Sequence, residues 1–198
     1  MTPRRISAKF FAQPDAALAP DLRPFIGVFH RFIQEGALEG LLLDVADYSH
    51  VPAGPGVMLI GHDVDYAIDL TDRRAGLLTT RKRHPNLPVS ELLRDTLRRA
   101  LIAVQRVEAD ASVDLRFGTG EIELRFVDAL AAPNTREAYE FVCKEIEPVA
   151  IRLFGASGFE LARVRAEDPR EMLTVSLSVS ASSQESDAGA LLEEIGGA

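Results

Sequence analysis

Tryptophan is absent from this chain of 198 residues, and cysteine occurs once, at Cys143. A lone cysteine excludes an internal disulfide framework and a thiolate metal cluster, and it fits a reducing compartment. Long apolar runs are also missing. Runs such as residues 41–43 and 57–60 fall far short of the roughly 20 residues that a spanning helix needs, so no membrane insertion is expected. The opening Met-Thr-Pro-Arg-Arg-Ile-Ser-Ala-Lys carries basic side chains with no apolar stretch behind them, which is not the pattern of a secretory signal. No serine stands in a nucleophile-elbow sequence, and no helix carries paired histidines at metal-binding spacing. Together these absences give the expectation of a cytoplasmic protein without a signature reaction.

What is present is ordinary globular composition, with 46% hydrophobic and 26% charged residues and ten phenylalanines for the core. The formal net charge of -8 is unevenly spread. Nine bases crowd residues 73–106 (Arg73, Arg74, Arg81, Lys82, Arg83, Arg94, Arg98, Arg99 and Arg106), opposed there only by Glu91 and Asp95. Such asymmetry marks either an anionic partner or a segment that packs beside the protein's own acids.

Periodicity outlines the elements. A strand is expected over residues 6–13, then a helix over 21–35 with Asp21 as N-cap, Pro24 in its first turn and Gly36 as its stop. Leu22, Phe25, Ile26, Phe29, Phe32 and Ile33 give it one apolar stripe. Residues 40–50 read as a buried strand with a polar end. Val51-Pro-Ala-Gly-Pro-Gly56 reads as a rigid turn, and its two prolines remove the amide donors a phosphate loop would need.

Residues 57–70 read as one long strand with an apolar face and an acidic face; a turn over 71–75 leads to a second strand over 76–84. A turn centred near Arg73 sets Asp65 opposite Arg81, Asp63 opposite Arg83 and, on the other face, His62 opposite His84. A second helix capped by Asn86 or Ser90 buries Leu93, Leu97, Ala100, Leu101, Val104 and Val107. A strand over 113–127 carries Gly118-Thr-Gly120, the mark of a hairpin or a bulge. A third helix starts at Asn134 with Glu137 completing a capping box, and Pro148 kinks it. A final hairpin pairs 159–165 with 172–181, where Leu173, Val175, Leu177 and Val179 alternate with polar residues.

The fold class that follows is α+β: a mainly antiparallel sheet with three main helices on one face, and a hint of two pseudo-equivalent halves. Residues 1–181 form the domain, and 182–198 form an acidic mobile tail in which Leu191, Leu192 and Ile195 can dock as a short helix.

Chemistry has one candidate cluster. Asp44, Asp47, His50 and His62 are the catalytic candidates if the protein is an enzyme, and Asp63, Asp65, His62 and His84 are the weaker metal candidates. Carboxylates and imidazoles at strand ends are the groups that metal-assisted hydrolysis of a phosphate ester uses, with a divalent metal as cofactor. The competing reading pairs the acids with Arg81 and Arg83 and makes His62 a core histidine. Cys143, beside Val142 on a helix, reads as a small core residue. Arg81, Lys82, Arg83, Arg94 and Arg98 are the interaction candidates for a small anionic ligand or a partner. Nucleic acid is disfavoured, because no aromatic lies between His84 and Phe117 and the chain is acidic overall.

The stretch from Pro24 to Leu70, PFIGVFHRFIQEGALEGLLLDVADYSHVPAGPGVMLIGHDVDYAIDL, resembles a group of small bacterial proteins that carry no assigned activity. The resemblance implies a bacterial cytoplasmic protein and brings no cofactor or catalytic residue with it. The functional expectation is a non-catalytic binding or assembly module without a cofactor. It self-associates as a homodimer or binds a protein partner through its sheet and charged hairpin, and the metal-assisted hydrolase is the alternative.

Overall fold

In the computed structural model, which describes residues 3–13, 20–52, 54–84, 86–179 and 186–196, eight strands form one antiparallel sheet. The strands are β1 (Ile6–Ala12), β2 (Leu42–Tyr48), β3 (Gly56–Gly61), β4 (Val64–Asp69), β5 (Gly76–Arg81), β6 (Phe117–Phe126), β7 (Phe159–Val164) and β8 (Leu173–Val179). Their order across the sheet is β2-β3-β4-β5-β1-β6-β8-β7, so β1 lies at the centre and β2 and β7 are the edges. The helices are α1 (Arg23–Glu35), α2 (Val89–Glu108), α3 (Arg136–Phe154) and α4 (Ala188–Gly196). The expected α+β class with an antiparallel sheet is the fold observed. No helix among the described residues is long and apolar enough to cross a membrane.

Alternation divides the sheet into two chemically distinct faces. Ile6, Ala8 and Phe10 of β1 line up with Leu77 of β5, Tyr66 and Ile68 of β4, and Leu124 and Phe126 of β6 to make an apolar face. The buried stripes of the helices join these residues in one core: Phe25, Phe29 and Phe32 of α1, Leu93, Leu97 and Leu101 of α2, and Val142 and Ile146 of α3. The opposite face carries Ser7, Lys9, Asp65, Asp69, Glu123, Arg125 and Thr174.

The helix ends explain where the chain turns. Gly36 ends α1 at φ 59, a left-handed conformation that favours glycine. At the start of α3 the cap is Thr135, one residue after the expected Asn134; its side chain accepts a hydrogen bond from Ala138 N. Asn134 instead donates to Arg165 O and Asp168 O, tying the β7–β8 turn to the helix start. Neither Asn86 nor Ser90 caps α2, which begins after Pro88 without a side-chain cap.

Three other expectations are corrected. Residues 57–70 are two strands, β3 and β4, joined by a tight turn at Gly61–Val64, not one. The β4–β5 register is slipped by one residue, so Val64 lies opposite Arg81 and Asp65 lies opposite Thr80. The strand expected to be buried over 40–50 is the exposed edge strand β2. Within the expected tail, residues 188–196 form the helix α4, in keeping with the short docking helix anticipated there, and its Leu191 and Ile195 are buried against the core. Residues 182–185 and 197–198 of the expected tail, and 180–181 of the expected last strand, lie outside the described ones. Gly118 to Glu121 mark the place where the β1–β6 pairing shifts register, as a bulge in that stretch requires.

A surface contact joins the first helix to the end of the second. Arg31 of α1 donates to Asp110 at 2.6 Å, and Ser112 donates to the same carboxylate. The Arg31 hydrogen bond, ahead of the others, holds the Asp110 carboxyl down at about 2. A carboxyl whose folded pKa lies below its ordinary 3.8 adds stability above that value and loses it as pH falls towards 2. Arg31→Ala is expected to flatten the fall in stability between pH 3.8 and 2, measured by urea unfolding across that range. Because Arg31 is open to water, the change is below about 1 kcal/mol.

Candidate functional site

The acids and histidines singled out by sequence do not gather. Asp44 and Asp47 sit on opposite faces of β2, because one is paired with Ile60 and the other with Val57. Asp44 accepts from Val45 N and Asp47 from Ser49 N, each at 2.8 Å, and the Ser49 contact holds the Asp47 carboxyl below its ordinary range. His50 follows in the exposed turn, its ring 6.4 Å from that of Tyr48. His62 and Asp63 stand at the tip of the β3–β4 turn, with Nδ1 and Oδ1 2.8 Å apart and both side chains open to water.

His62 is therefore not a core histidine. The strand pairing that would set it opposite His84 does not exist, since β4 starts at Val64 and β5 ends at Arg81. His84 lies with Nε2 3.0 Å from Arg4 O. Asp65 accepts from Lys82 Nζ at 2.7 Å and from Gly61 N at 3.1 Å. Among the described residues, no three His, Cys, Asp or Glu side chains are grouped so that they could hold a metal ion. Cys143 on α3 is half-buried, and burial pushes its thiol up, away from the thiolate that acts as a nucleophile.

The most deeply buried charge cluster lies apart from these residues. Lys9 on central strand β1 and Asp69 on β4 are 0% and 2% exposed, and their side chains meet at 2.6 Å. Lys9 Nζ also lies 3.3 Å from Thr71 O, and Thr71 Oγ1 donates to Asp69 at 2.5 Å. Arg125 on β6 reaches within 3.6 Å of Asp69 and donates to Glu123 at 2.6 Å. Burial pushes the Lys9 ammonium below its ordinary 10.5, opposed by the charge and hydrogen bond of Asp69. This quartet is sealed from solvent, so it holds strands together and is not placed to meet a ligand. The one sequence signal for it is alternation, with Ser7 and Lys9 in β1 and Glu123 and Arg125 in β6.

The basic segment divides in two. Lys82 pairs with Asp65 on the polar face, and Arg83 is exposed beyond β5. Arg81, shifted to the apolar face by the register, turns towards α2 instead. Its Nε lies 2.9 Å from Asp95 Oδ2. Asp95 also receives Arg99 through both oxygens at 3.0 Å, and Glu39 receives Arg98 at 2.5 Å. The Arg98 hydrogen bond holds the Glu39 carboxyl below its ordinary range. Beside these pairs lies a cavity of ≈ 450 Å³, lined by Arg81, Leu87, Glu91, Arg94, Asp95 and Arg98. None of the Asp44–Asp69 acids lines it.

A second open feature is the β2 edge. Leu41 is 62% exposed and Leu43 52%, and Tyr48 and Val51 are exposed at the strand's other end. Leu43 falls where the β2–β3 register shifts, so the bulge pushes it out of the ladder. At the other edge, Leu161 O of β7 is taken by the Tyr139 hydroxyl at 3.1 Å. Comparison with protein-family models, with curated proteins and with solved structures finds no match to this chain.

Proposed function

We propose that the protein is a non-catalytic binding module that takes an extended, basic segment of a partner protein along β2. The observation that carries this reading is a terminal strand with exposed leucines set among acids: Leu41 and Leu43 on one side, Asp44 and Asp47 in the strand. An edge strand offers unpaired amide and carbonyl groups to an incoming strand, and side chains at alternate positions supply selectivity. The two acids and the chain's net charge of -8 work against a second copy of the same edge and in favour of a basic partner. The neighbouring Asp63, exposed at the tip of the β3–β4 turn, adds to the same field, and His62 N donates to Leu41 O at the strand's start.

The test is fluorescence anisotropy with the full chain and labelled ten-residue peptides carrying Lys or Glu at alternate positions among valines. The Lys peptide is expected to bind and the Glu peptide not. Leu43→Glu is expected to weaken binding about tenfold, the loss of one interface anchor worth roughly 1–2 kcal/mol. Because Leu43 is exposed, the melting temperature of that variant stays within a degree or two of the parent. A chain that runs as a dimer, and that Leu43→Glu converts to a monomer, replaces this reading with self-association. Equal binding of both peptides sinks it.

A further inference from the structure

We propose that the cavity between the end of β5 and α2 is an anion site for a single phosphate group, either free or carried by a small non-aromatic molecule. The site is independent of the β2 edge. Arg94 and Arg98 are four residues apart on α2 and so project from one side of the helix, one turn above the other, with Glu91 and Asp95 beside them. Arg81, the last residue of β5, enters from the sheet. A volume of ≈ 450 Å³ is in the range of small-molecule sites.

The charges do not cancel locally. Arg81, Arg94, Arg98 and Arg99 surround Glu39, Glu91 and Asp95, leaving one positive charge in excess. More telling is Arg81 itself, which is 7% exposed. Its Nε faces Asp95 without an aligned hydrogen bond, and its Nη1 has no acceptor in the protein. Buried guanidinium donors are matched in native proteins by protein, water or an ion. The other buried side-chain atoms without partners among the described residues, Thr79 Oγ1 and Arg125 Nη2, belong to residues that do not line this cavity. The unmatched arginine thus shares its cavity with two further arginines, the exposed Arg94 and also Arg98, which is paired with Glu39 as well.

Phosphate fits better than a planar carboxylate. Its tetrahedral oxygens can receive donors from three directions, here the strand end and two successive turns of a helix, and guanidinium forks suit phosphate geometry. No aromatic ring lines the cavity and Leu87 is its one aliphatic wall, so a purine or pyrimidine has nothing to stack on. Of the interaction candidates in the sequence, Arg81, Arg94 and Arg98 line the cavity, and Lys82 and Arg83 do not.

Isothermal titration of the full chain in chloride buffer, first with inorganic phosphate and then with a sugar monophosphate, tests the site. One saturable event below about 10 mM is expected, weakened roughly tenfold or more by Arg94→Ala and by Arg98→Ala. Tighter binding of the sugar phosphate identifies a metabolite as the source, and tighter binding of inorganic phosphate identifies the free ion. Arg81→Ala removes a buried pair and can fail to fold, so exposed Arg94 carries the decisive substitution. Absence of saturable binding by both probes overturns the proposal, and so does binding that Arg94→Ala leaves unchanged.

Discussion

Asp69→Ala is expected to lower the unfolding free energy by about 3–5 kcal/mol, the range found when one partner of a buried ion pair is removed. Asp69 is the acid on which three cationic or hydroxyl groups converge: Lys9 at 2.6 Å, Thr71 at 2.5 Å and Arg125 at 3.6 Å. With Glu123 the cluster is neutral, two bases against two acids. Without Asp69 two bases face one acid in a site closed to water, and Lys9 can reach no solvent because its side chain is fully buried. The chain's remedy is to deprotonate Lys9, whose ammonium burial already pushes below 10.5.

That remedy sets the sign of the pH dependence. Between the lowered folded pKa and 10.5 the unfolded chain binds more protons at Lys9 than the folded one, so stability in that window rises with pH. The deficit of Asp69→Ala should therefore shrink between pH 7 and pH 10, read by urea unfolding at both. The double variant Lys9→Met, Asp69→Leu is expected to recover most of the loss, since replacing a buried pair by apolar groups of similar size is often neutral or better. A deficit below about 1 kcal/mol for Asp69→Ala, or one that grows with pH, would show that the pair is solvated and the cluster is not closed.

How much of this was legible depended on whether local pattern or chain reversal decided the outcome. The α1 stripe was legible, because Phe25, Phe29 and Phe32 recur at helical spacing and all three are buried. So was β8, where Leu173, Val175 and Leu177 alternate onto the core. The charged hairpin was not. Period two runs through residues 57–70 without a visible break, yet the turn at Gly61–Val64 exchanges the faces: Val57 and Leu59 share the apolar side with Val64, Tyr66 and Ile68. Acids read as one face of one strand therefore separate into a turn tip, Asp63, and the polar side of β4, Asp65 and Asp69.

The register slip has an equally local cause. The β4–β5 connection closes on a pair of residues, Asp72 and Arg73, both at positive φ (62 and 58), and Arg74 N donates back to Thr71 O. A two-residue turn of that kind is normally announced by Asn-Gly or Gly, and Asp-Arg announces nothing. Centring the turn on one residue moved every partner by one, which hid both the Lys82 contact of Asp65 and the passage of Arg81 to α2. Burial of the Lys9 cluster was illegible for another reason. Alternation marks a polar face, but whether neighbouring strands and side chains close over that face is a property of the whole sheet.

Gly76→Ala is expected to destabilise the protein even though alanine ordinarily suits a strand better than glycine. Gly76 opens β5 opposite Phe11 of β1, and the Lys9 side chain must cross it to reach Asp69 on the next strand. A Cβ there would lie 2.5 Å from Phe10 O, 2.9 Å from Lys9 Cε and 3.1 Å from Lys9 Cγ. The gain from stiffening the unfolded chain is about 0.4–1 kcal/mol, whereas overpacking of a closed interior costs about 1–3 kcal/mol. Overpacking wins, because Phe10 O belongs to the central strand and can retreat only by opening the β1–β5 ladder. Displacement of Lys9 from Asp69 adds the loss argued above. The two contributions separate in a Lys9→Ala background, where the clashes with Cε and Cγ vanish and the one with Phe10 O stays. There Gly76→Ala should cost less than in the parent but still more than zero. If the two substitutions add within about 0.5 kcal/mol, Lys9 does not run over Gly76 and the bridge from β1 to β4 is wrong.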